Sequence, residues 1–227
     1  MSKEENVVNY YVICNKLKNV IRKGWIDWRV QRERIESVAE HIFSVQMLAI
    51  AMKSEYQYEI DIMKVILMLA IHELGETVIG DLTLFDISGD EKKIIERKAV
   101  KNILSGLLDG NQINELFLEF DEKKTKEAMF AYQCDKLECD LQSKLYDQEN
   151  CVDLNNQEGN KILNNQIVHK LLSNGESWSG MWLKFGQIIY PYDDNFRAVS
   201  NYAIDNNLSK KKIKCDIILL NCFGGAL

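Results

Sequence analysis

Proline is nearly absent from this sequence of 227 residues, in which Pro191 is the single example. Because proline interrupts helices and is common in turns, a chain without it over its first 190 residues is expected to be helical. No segment repeats at a solenoid period, and 46% of the residues are hydrophobic, as is typical of a globular protein. The sequence therefore predicts an all-α fold in which residues 1–227 form one domain.

Two further absences restrict the partners of the protein. Its longest apolar stretches, such as residues 65–71 and 217–220, are far shorter than the roughly 20 residues that cross a bilayer. The chain also has no excess of basic residues, since 28 Lys and Arg stand against 34 Asp and Glu, for a net charge of −6. Broad binding to nucleic acid or to an anionic membrane needs a basic surface. We therefore expect neither nucleic acid nor a membrane as a partner.

Paired-cysteine motifs are missing as well. None of the six cysteines falls in a CxxC pair, and the polar, charged N-terminus lacks the features of a signal peptide. Cysteines in such a chain are expected to be reduced thiols. The sequence therefore predicts a cytoplasmic protein.

Hydrophobic periodicity and turn residues outline a series of helices. They are predicted over residues 7–22, 37–53, 61–79, 88–108, 111–120, 124–146, 162–190 and 193–206. Residues 24–35 and 147–165 are predicted loops, the second of them rich in Asn. The tail, residues 209–227, places three lysines before an apolar segment, and the sequence assigns no role to it.

Histidine is scarce, and any site that uses imidazole must draw on three residues: His41, His72 and His169. His72 lies in the predicted helix 61–79, which is otherwise largely apolar, and is followed by Glu73 and Glu76. Because burying unpaired carboxylates is costly, these polar residues require a counter-charge, which a metal ion would supply. The alternative is that both glutamates lie at a solvated helix end and that His72 only hydrogen-bonds a backbone carbonyl.

Residues from two other predicted helices favour the metal interpretation. His41 directly follows a capping-box pattern of Ser37 and Glu40, and Asp135 lies in the long helix 124–146. Two histidines and two carboxylates from three helices can form a ligand set of N and O atoms with coordination positions left for water. His169 matches no motif and is expected to be structural.

The order of these residues resembles a known family. A His, then a His-carboxylate pair, then an Asp is similar to the pattern of the HD-domain metal-dependent phosphohydrolases. Five segments resemble more closely the branch that contains the 5′-deoxynucleotidases: Arg22-Lys23-Gly24-Trp25, Glu36-Ser37-Val38-Ala39-Glu40-His41, His72-Glu73-Leu74-Gly75-Glu76, Gly80-Asp81-Leu82-Thr83 and Asp135-Lys136-Leu137. The resemblance covers roughly residues 10–147 and implies an HD-type helical bundle, with additional C-terminal helices over about 160–206.

The resemblance also implies a role for each matching residue. One divalent ion, with Co²⁺, Mn²⁺, Mg²⁺ and Zn²⁺ as candidates, would be held by four side chains: His41, His72, Glu73 and Asp135. Glu76 would handle protons near the attacking water. Arg22 would meet the substrate phosphate, Trp25 would border the sugar or base, and Asp81 would accept a sugar hydroxyl. The implied activity is release of phosphate from nucleoside 5′-monophosphates, above all 2′-deoxynucleotides, by metal-activated water.

Structural alternatives stay open for the substrate-binding residues. Arg22 could be a solvated cation at a helix end, Trp25 a core aromatic, and Asp81 a turn or helix-cap residue. At the metal, Glu73 stands where the family name has Asp, and its additional methylene extends the carboxylate by roughly 1.5 Å.

Other functions therefore also stay open. One is hydrolysis of another phosphomonoester or of a phosphodiester, which the basic loop of Arg29, Arg32 and Arg34 could also serve. Another is a binding module with the HD fold and a weakened metal centre. A homodimer is a further option, and Trp178 and Trp182 are predicted surface residues that could contribute to its interface.

Overall fold

The computed structural model describes residues 2–83 and 86–208, which are helical without a β-sheet. The helices are α1 (Lys3–Asn15), α2 (Lys23–Asp27), α3 (Val38–Tyr56), α4 (Ile62–Ile71), α5 (Glu76–Ile79), α6 (Gly89–Leu104), α7 (Gly110–Glu122), α8 (Lys126–Gln148), α9 (Gln166–Ser173), α10 (Trp178–Ile189) and α11 (Asp194–Asp205). Two 3₁₀ turns occupy Lys16–Asn19 and Lys161–Asn164. The all-α prediction is confirmed, while the predicted tail 209–227 lies outside the described residues.

Helix α8 is the central element of the bundle. It packs against α3, α4, α7, α10 and α11. Its apolar side chains at Ala128, Ala131 and Leu137 are fully buried and join Val45 of α3 and Leu69 of α4 in the main core. Side chains that project from α8 towards α3 and α4 are therefore shielded from solvent.

Helix α3 begins where the capping-box pattern predicts. The Ser37 hydroxyl accepts the backbone N–H of Glu40, and the Glu40 carboxylate accepts the backbone N–H of Ser37. This reciprocal pair satisfies two amides that the first helical turn leaves free. It fixes the start of the helix one turn before His41, whose side chain is fully buried.

The predicted helix 61–79 is wrong at its C-terminal part. Helix α4 ends at Ile71, and the chain continues through tight turns in which the amide of Leu74 bonds the carbonyl of Ile71, and that of Glu76 bonds the carbonyl of Glu73. These i to i−3 bonds wind the backbone more tightly than an α-helix. The predicted helical face shared by His72 and Glu76 is therefore replaced by a turn.

The predicted helix 7–22 also differs from the structure. Helix α1 starts earlier and ends at Asn15, and its apolar residues Val8 and Tyr11 are exposed. The chain leaves helical geometry because the amide of Arg22 bonds the carbonyl of Glu36, which pairs the two segments in extended form. Arg22 is thereby placed at the N-terminus of α2, a short helix inside the predicted loop 24–35.

The predicted helix 162–190 is three elements. The chain turns at Gly175, whose φ of +86° suits a residue without a Cβ, and Ser177 then caps α10. The prediction that Trp178 lies on the surface is wrong, since its side chain is only 1% exposed. Trp182 is half-buried beside it, with ring centroids 6.3 Å apart.

The described part of the chain also bears on two earlier expectations, which concern membrane-spanning helices and the state of the cysteines. Within residues 2–83 and 86–208, no helix is both long and apolar enough to cross a membrane. The four cysteines described there, Cys14, Cys134, Cys139 and Cys151, are free thiols.

Candidate active site

The four predicted metal ligands converge at the side of α8. His41 comes from α3, His72 and Glu73 from the turn after α4, and Asp135 from α8 itself. One donor atom from each lies within 4.8 Å of the others. Asp135 Oδ1 is 3.1 Å from His41 Nε2 and 3.8 Å from His72 Nε2, and Glu73 Oε1 is 3.6 Å from His72 Nε2. The longer side chain of Glu73 therefore still reaches the cluster.

The hydrogen bonds of His72 test whether this cluster suits a cation. Its Nδ1 lies 2.7 Å from the carbonyl oxygen of Leu69, to which it donates. The proton on Nδ1 leaves Nε2 of a neutral ring as a lone-pair donor, and this buried atom has no hydrogen-bond partner in the described part of the chain. A free imidazole nitrogen beside two carboxylates fits a divalent metal ion. The alternative role of His72 accounts for only one of its two ring nitrogens.

His41 is oriented by a residue that the sequence analysis missed. Its Nδ1 lies 2.6 Å from Glu138 Oε2, and both side chains are buried. Metal-binding histidines commonly donate their second N–H to a carboxylate in this way. Burial and Arg22 lower the pKa of His41, but Glu138 and Asp135 outweigh them and raise it to about 9. The spacing of Glu138, one helical turn after Asp135, is the signal that could have revealed it.

The two carboxylates of the cluster are held in their charged form. Burial raises the pKa of Glu73, but the neighbouring His72 and Arg22 outweigh it and lower the pKa to about 2. For Asp135, burial is again outweighed, here by Lys136 and by the hydrogen bond with His41, so its pKa lies well below the usual value. Lys136 Nζ is 2.8 Å from the second oxygen of Asp135. Both carboxylates are therefore ionised at neutral pH, as metal ligands must be.

Glu76 has a different environment from the ligands. Only 1% of its side chain is exposed, which rules out the solvated helix end considered above. Its Oε1 is 3.5 Å from Lys92 Nζ, while its buried Oε2 has no partner among the residues described. Burial, together with the charges of Glu73 and Asp81, raises its pKa well above the usual value, against the opposing charges of Arg22 and Lys92. The surroundings of Glu76 therefore favour the protonated form of its carboxyl group.

A second group of carboxylates adjoins this residue. Donor atoms of Glu73, Glu76 and Glu96 also lie within 4.8 Å of one another. Lys92 Nζ approaches Glu76 and Glu96 to 3.5 and 3.4 Å, respectively. Because the ammonium already supplies positive charge here, this group is explained without a second cation.

Arg22 is an ordered cation of the site rather than a solvated one. Its side chain is 14% exposed, Nη1 lies 3.5 Å from Glu73 Oε1, and Nη2 donates to Cys139 Sγ at 2.9 Å. Burial lowers its pKa, but the neighbouring Cys139, Asp81, Glu73 and Glu76 outweigh burial and raise it well above the usual value. The guanidinium is thus a permanent positive charge next to the metal ligands.

Trp25 and Asp81 combine structural contacts with a position at the site. Trp25 is 2% exposed and belongs to a core cluster, and its Nε1 donates to Glu36 Oε2 at 2.7 Å. Asp81 Oδ2 accepts the backbone N–H of Lys23, the first residue of α2, at 2.7 Å and so acts as a helix cap. Trp25 is thus a core aromatic and Asp81 a helix cap, which are the structural alternatives given above. Both residues also line the cavity described next.

A cavity of about 540 Å³ connects these residues. Its polar lining residues include Arg22, His72, Glu73, Glu76, Asp81 and Asp135. Its apolar and aromatic lining residues include Ile162, Val168, Met181, Trp182, Phe185 and Tyr190. A cavity of this size and character suits a small ligand with one anionic end.

The basic loop does not contribute to this cavity. Arg29, Arg32 and Arg34 are absent from its lining. Arg29 instead donates to the carbonyl oxygens of residues 156 and 158, and Arg32 pairs with Glu149 at 3.3 Å. The hypothesis that this loop serves the substrate is therefore not supported. His169, expected to be structural, is exposed on α9 away from the cavity lining.

Comparison with known proteins agrees with the resemblance noted in the sequence. The family model described as HD domain matches residues 14–173. The 5′-deoxynucleotidase HDDC2 of Dictyostelium discoideum is 36% identical over 153 residues, which cover 63% of this chain and 79% of the relative. The 5′-deoxynucleotidase HDDC2 of Bos taurus is 29% identical over 157 residues, covering 68% and 72%, respectively.

Solved structures share the fold. A predicted metal-dependent phosphohydrolase of Magnetospirillum magnetotacticum superposes with a TM-score of 0.60 at 23% identity, covering 90% of this chain and 95% of that one. The PH0347 protein of Pyrococcus horikoshii gives a TM-score of 0.63 at 21% identity, covering 87% and 98%. The matched segment, which contains all four predicted metal ligands, and the shared helical architecture lead to one assignment: this chain belongs to the HD-domain family.

Proposed function

We propose that this protein is a metal-dependent phosphomonoesterase that releases phosphate from nucleoside 5′-monophosphates, with 2′-deoxynucleotides as preferred substrates. The observation that carries the proposal is the shared cavity. Its lining includes three of the four residues of the candidate metal-ligand cluster, among them His72 with its unpartnered Nε2, together with Arg22 and the buried carboxyl group of Glu76. Relatives named 5′-deoxynucleotidase support the choice of substrate.

One divalent ion would be held by the side chains of the cluster: His41, His72, Glu73 and Asp135. Two imidazoles and two carboxylates suit Co²⁺, Mn²⁺ or Zn²⁺, and Mg²⁺ with lower preference for the nitrogen ligands. Such an ion lowers the pKa of water from 15.7 to about 7 and draws charge from phosphoryl oxygens. The chain's own contribution is to keep the two carboxylates deprotonated and the two imidazoles correctly oriented.

Arg22 would bind the phosphoryl group. Its planar guanidinium presents a fork of N–H donors that can hold two phosphate oxygens at once, and it keeps its charge at all relevant pH values. The present partners of the fork, Glu73 and Cys139, show that it already faces the metal ligands. Arg22 would therefore orient the phosphorus for attack by water.

Glu76 would move a proton. Its raised pKa favours the protonated carboxyl group, and its buried Oε2 has no hydrogen-bond partner among the residues described, which supports this role. Protonation of the 5′ oxygen as the ester bond breaks would make the nucleoside a neutral leaving group. No covalent intermediate with the protein is needed, because water attacks phosphorus directly.

Trp25 and Asp81 would act on the sugar. Asp81 keeps one carboxylate oxygen on the amide of Lys23, so its other oxygen can accept a sugar hydroxyl. Trp25 is fixed by its bond to Glu36 and presents a rigid edge to the same cavity. A rigid wall beside the ring would select between deoxyribose and ribose.

The test is phosphate release by chelator-treated protein that is resupplied with single metals. Substrates are 2′-deoxynucleoside and ribonucleoside monophosphates, with sugar phosphates and cyclic dinucleotides as the alternatives. We expect metal-dependent turnover that is fastest with deoxynucleotides. Turnover of the cyclic dinucleotides alone would instead establish a phosphodiesterase. No turnover with any metal, in folded protein, would contradict the proposal and favour a binding module.

A further inference from the structure

We infer that α10 forms a nucleobase-binding wall, in which Trp182 and Phe185 select nucleotides over base-free sugar phosphates. The inference rests on the proposed function, which it makes more specific. Both side chains line the cavity that also contains the predicted metal ligands His72, Glu73 and Asp135. Helix α10 starts at Trp178, beyond the segment 14–173 that matches the family model, so the family pattern assigns these residues no role.

The position of Trp182 connects this wall to the phosphate end. The indole atom Cη2 lies 4.0 Å from the point that a Cβ on Gly24 would occupy. The Trp182 ring also packs against Trp25, with centroids 5.3 Å apart and planes tilted by 49°. Gly24 and Trp25 closely follow Arg22 in the chain, so phosphate, sugar and base positions would follow one another along the cavity.

The chemistry of Trp182 suits a nucleobase. Its Nε1 is buried and has no hydrogen-bond partner within residues 2–83 and 86–208. A buried indole N–H usually finds an acceptor. Bases and sugar phosphates both carry acceptor atoms, so the selectivity rests on the exposed part of the ring: a base-free sugar phosphate has no aromatic face to stack on it. Aromatic faces such as those of Trp182 and Phe185 also stack on any base.

The neighbouring tryptophans are less suited to contact a nucleobase. The indole nitrogens of Trp28 and Trp178 are likewise unpartnered in the part of the chain described. Their side chains, however, are 0% and 1% exposed, so a ligand has almost no surface to contact. Trp182 is only half-buried and has surface left for a base.

The wall is rigidly tied to the helix that carries Asp135. Helix α10 crosses α8 at Gly186, where an added Cβ would lie 2.1 Å from Asp140 Oδ2. The same oxygen accepts the hydroxyl of Tyr192 at 2.9 Å. This close contact fixes the separation between the aromatic wall and the metal ligands, so the cavity selects a ligand of defined length.

The test compares kcat/KM for deoxyadenosine 5′-monophosphate and 2-deoxyribose 5-phosphate in four variants: Trp182→Ala, Trp182→Phe, Phe185→Ala and the control Ile188→Ala. Ile188 lies on the exposed side of α10. We expect the parent to prefer the nucleotide, and Trp182→Ala to reduce this preference by about 10- to 100-fold, as loss of a stacked base partner does. Trp182→Phe keeps a ring and should retain part of it, and Ile188→Ala should retain all of it.

A binding measurement separates this inference from the proposed function. Calorimetry with chelator-treated protein compares the same two ligands without requiring turnover. Tighter binding of the nucleotide, lost in Trp182→Ala and Phe185→Ala, supports the wall even if no phosphate is released. Equal affinity for both ligands, or an unchanged preference in folded Trp182→Phe and Phe185→Ala, would overturn it.

Discussion

Replacement of Glu138 tests whether the metal site depends on a residue outside the ligand set. Glu138→Ala removes the acceptor of the His41 Nδ1–H, and Glu138→Gln keeps an acceptor oxygen but loses the charge. Both side chains are buried, so water cannot readily replace the bond. His41 would then lose its fixed ring orientation towards the metal.

The size of the effect follows from this geometry. A hydrogen bond to a charged group contributes about 1.5–3 kcal/mol. Since 1.4 kcal/mol corresponds to a tenfold change, metal affinity should fall roughly 10- to 100-fold in Glu138→Ala and less in Glu138→Gln. The same range is typical of residues that orient metal-bound histidines.

Proton competition decides the conditions of the assay. Glu138 also raises the pKa of His41. Without Glu138, His41 would bind its proton less tightly, so the proton would compete less with the metal. Near neutral pH this would hide part of the loss of metal affinity. Metal dissociation constants should therefore be compared at about pH 10, roughly one unit above the pKa of about 9, where His41 has largely lost that proton. Glu127→Gln, at another buried glutamate of α8, is the matched control. Affinities within about twofold of the parent in both Glu138 variants would refute the reasoning.

Three further predictions concern catalysis, pH and packing. Glu76→Gln should lower kcat by about 10²- to 10⁴-fold while metal binding persists, because the proton on Oε2 is lost; unchanged turnover would exclude the acid role. The metal must displace the proton of His41, so apparent metal affinity should rise with pH up to about 9, by about tenfold per pH unit. Calorimetry in different buffers should detect the proton released when the metal binds. Gly186→Ala should destabilise the fold by about 1–3 kcal/mol, seen as a lower Tm, because its Cβ would overlap the Asp140 carboxylate.

The sequence predicted the site and the helix start best where a residue type has few possible structural roles at its position. Polar residues in an apolar segment predicted His72 and Glu73 as ligands, and the structure brings them together with His41 and Asp135. The capping box at Ser37 likewise predicted the start of α3. Both signals are local, because they depend on the cost of burying charge or of leaving helix amides unpaired.

Features that depend on how helices face one another could not be predicted. Whether Glu138 meets His41 depends on the rotation of α8 relative to α3, which the sequence does not specify. Tertiary contacts also decided that residues after Ile71 leave the helix and that Tyr11 of α1 is exposed, although the apolar pattern continues through both segments. The sequence did not indicate that Cys139 and Trp182 lie at the site, and only the cavity, which both residues line, shows this.

The most direct test of the central claim is a titration of metal-free protein with Co²⁺, in which the metal spectrum and phosphate release from a deoxynucleoside monophosphate are followed together. We expect both signals to saturate at one equivalent of metal in the parent, and His72→Ala to abolish both while the fold is kept. Phosphate release that persists in the presence of a strong chelator, or that does not follow metal occupancy, would contradict it.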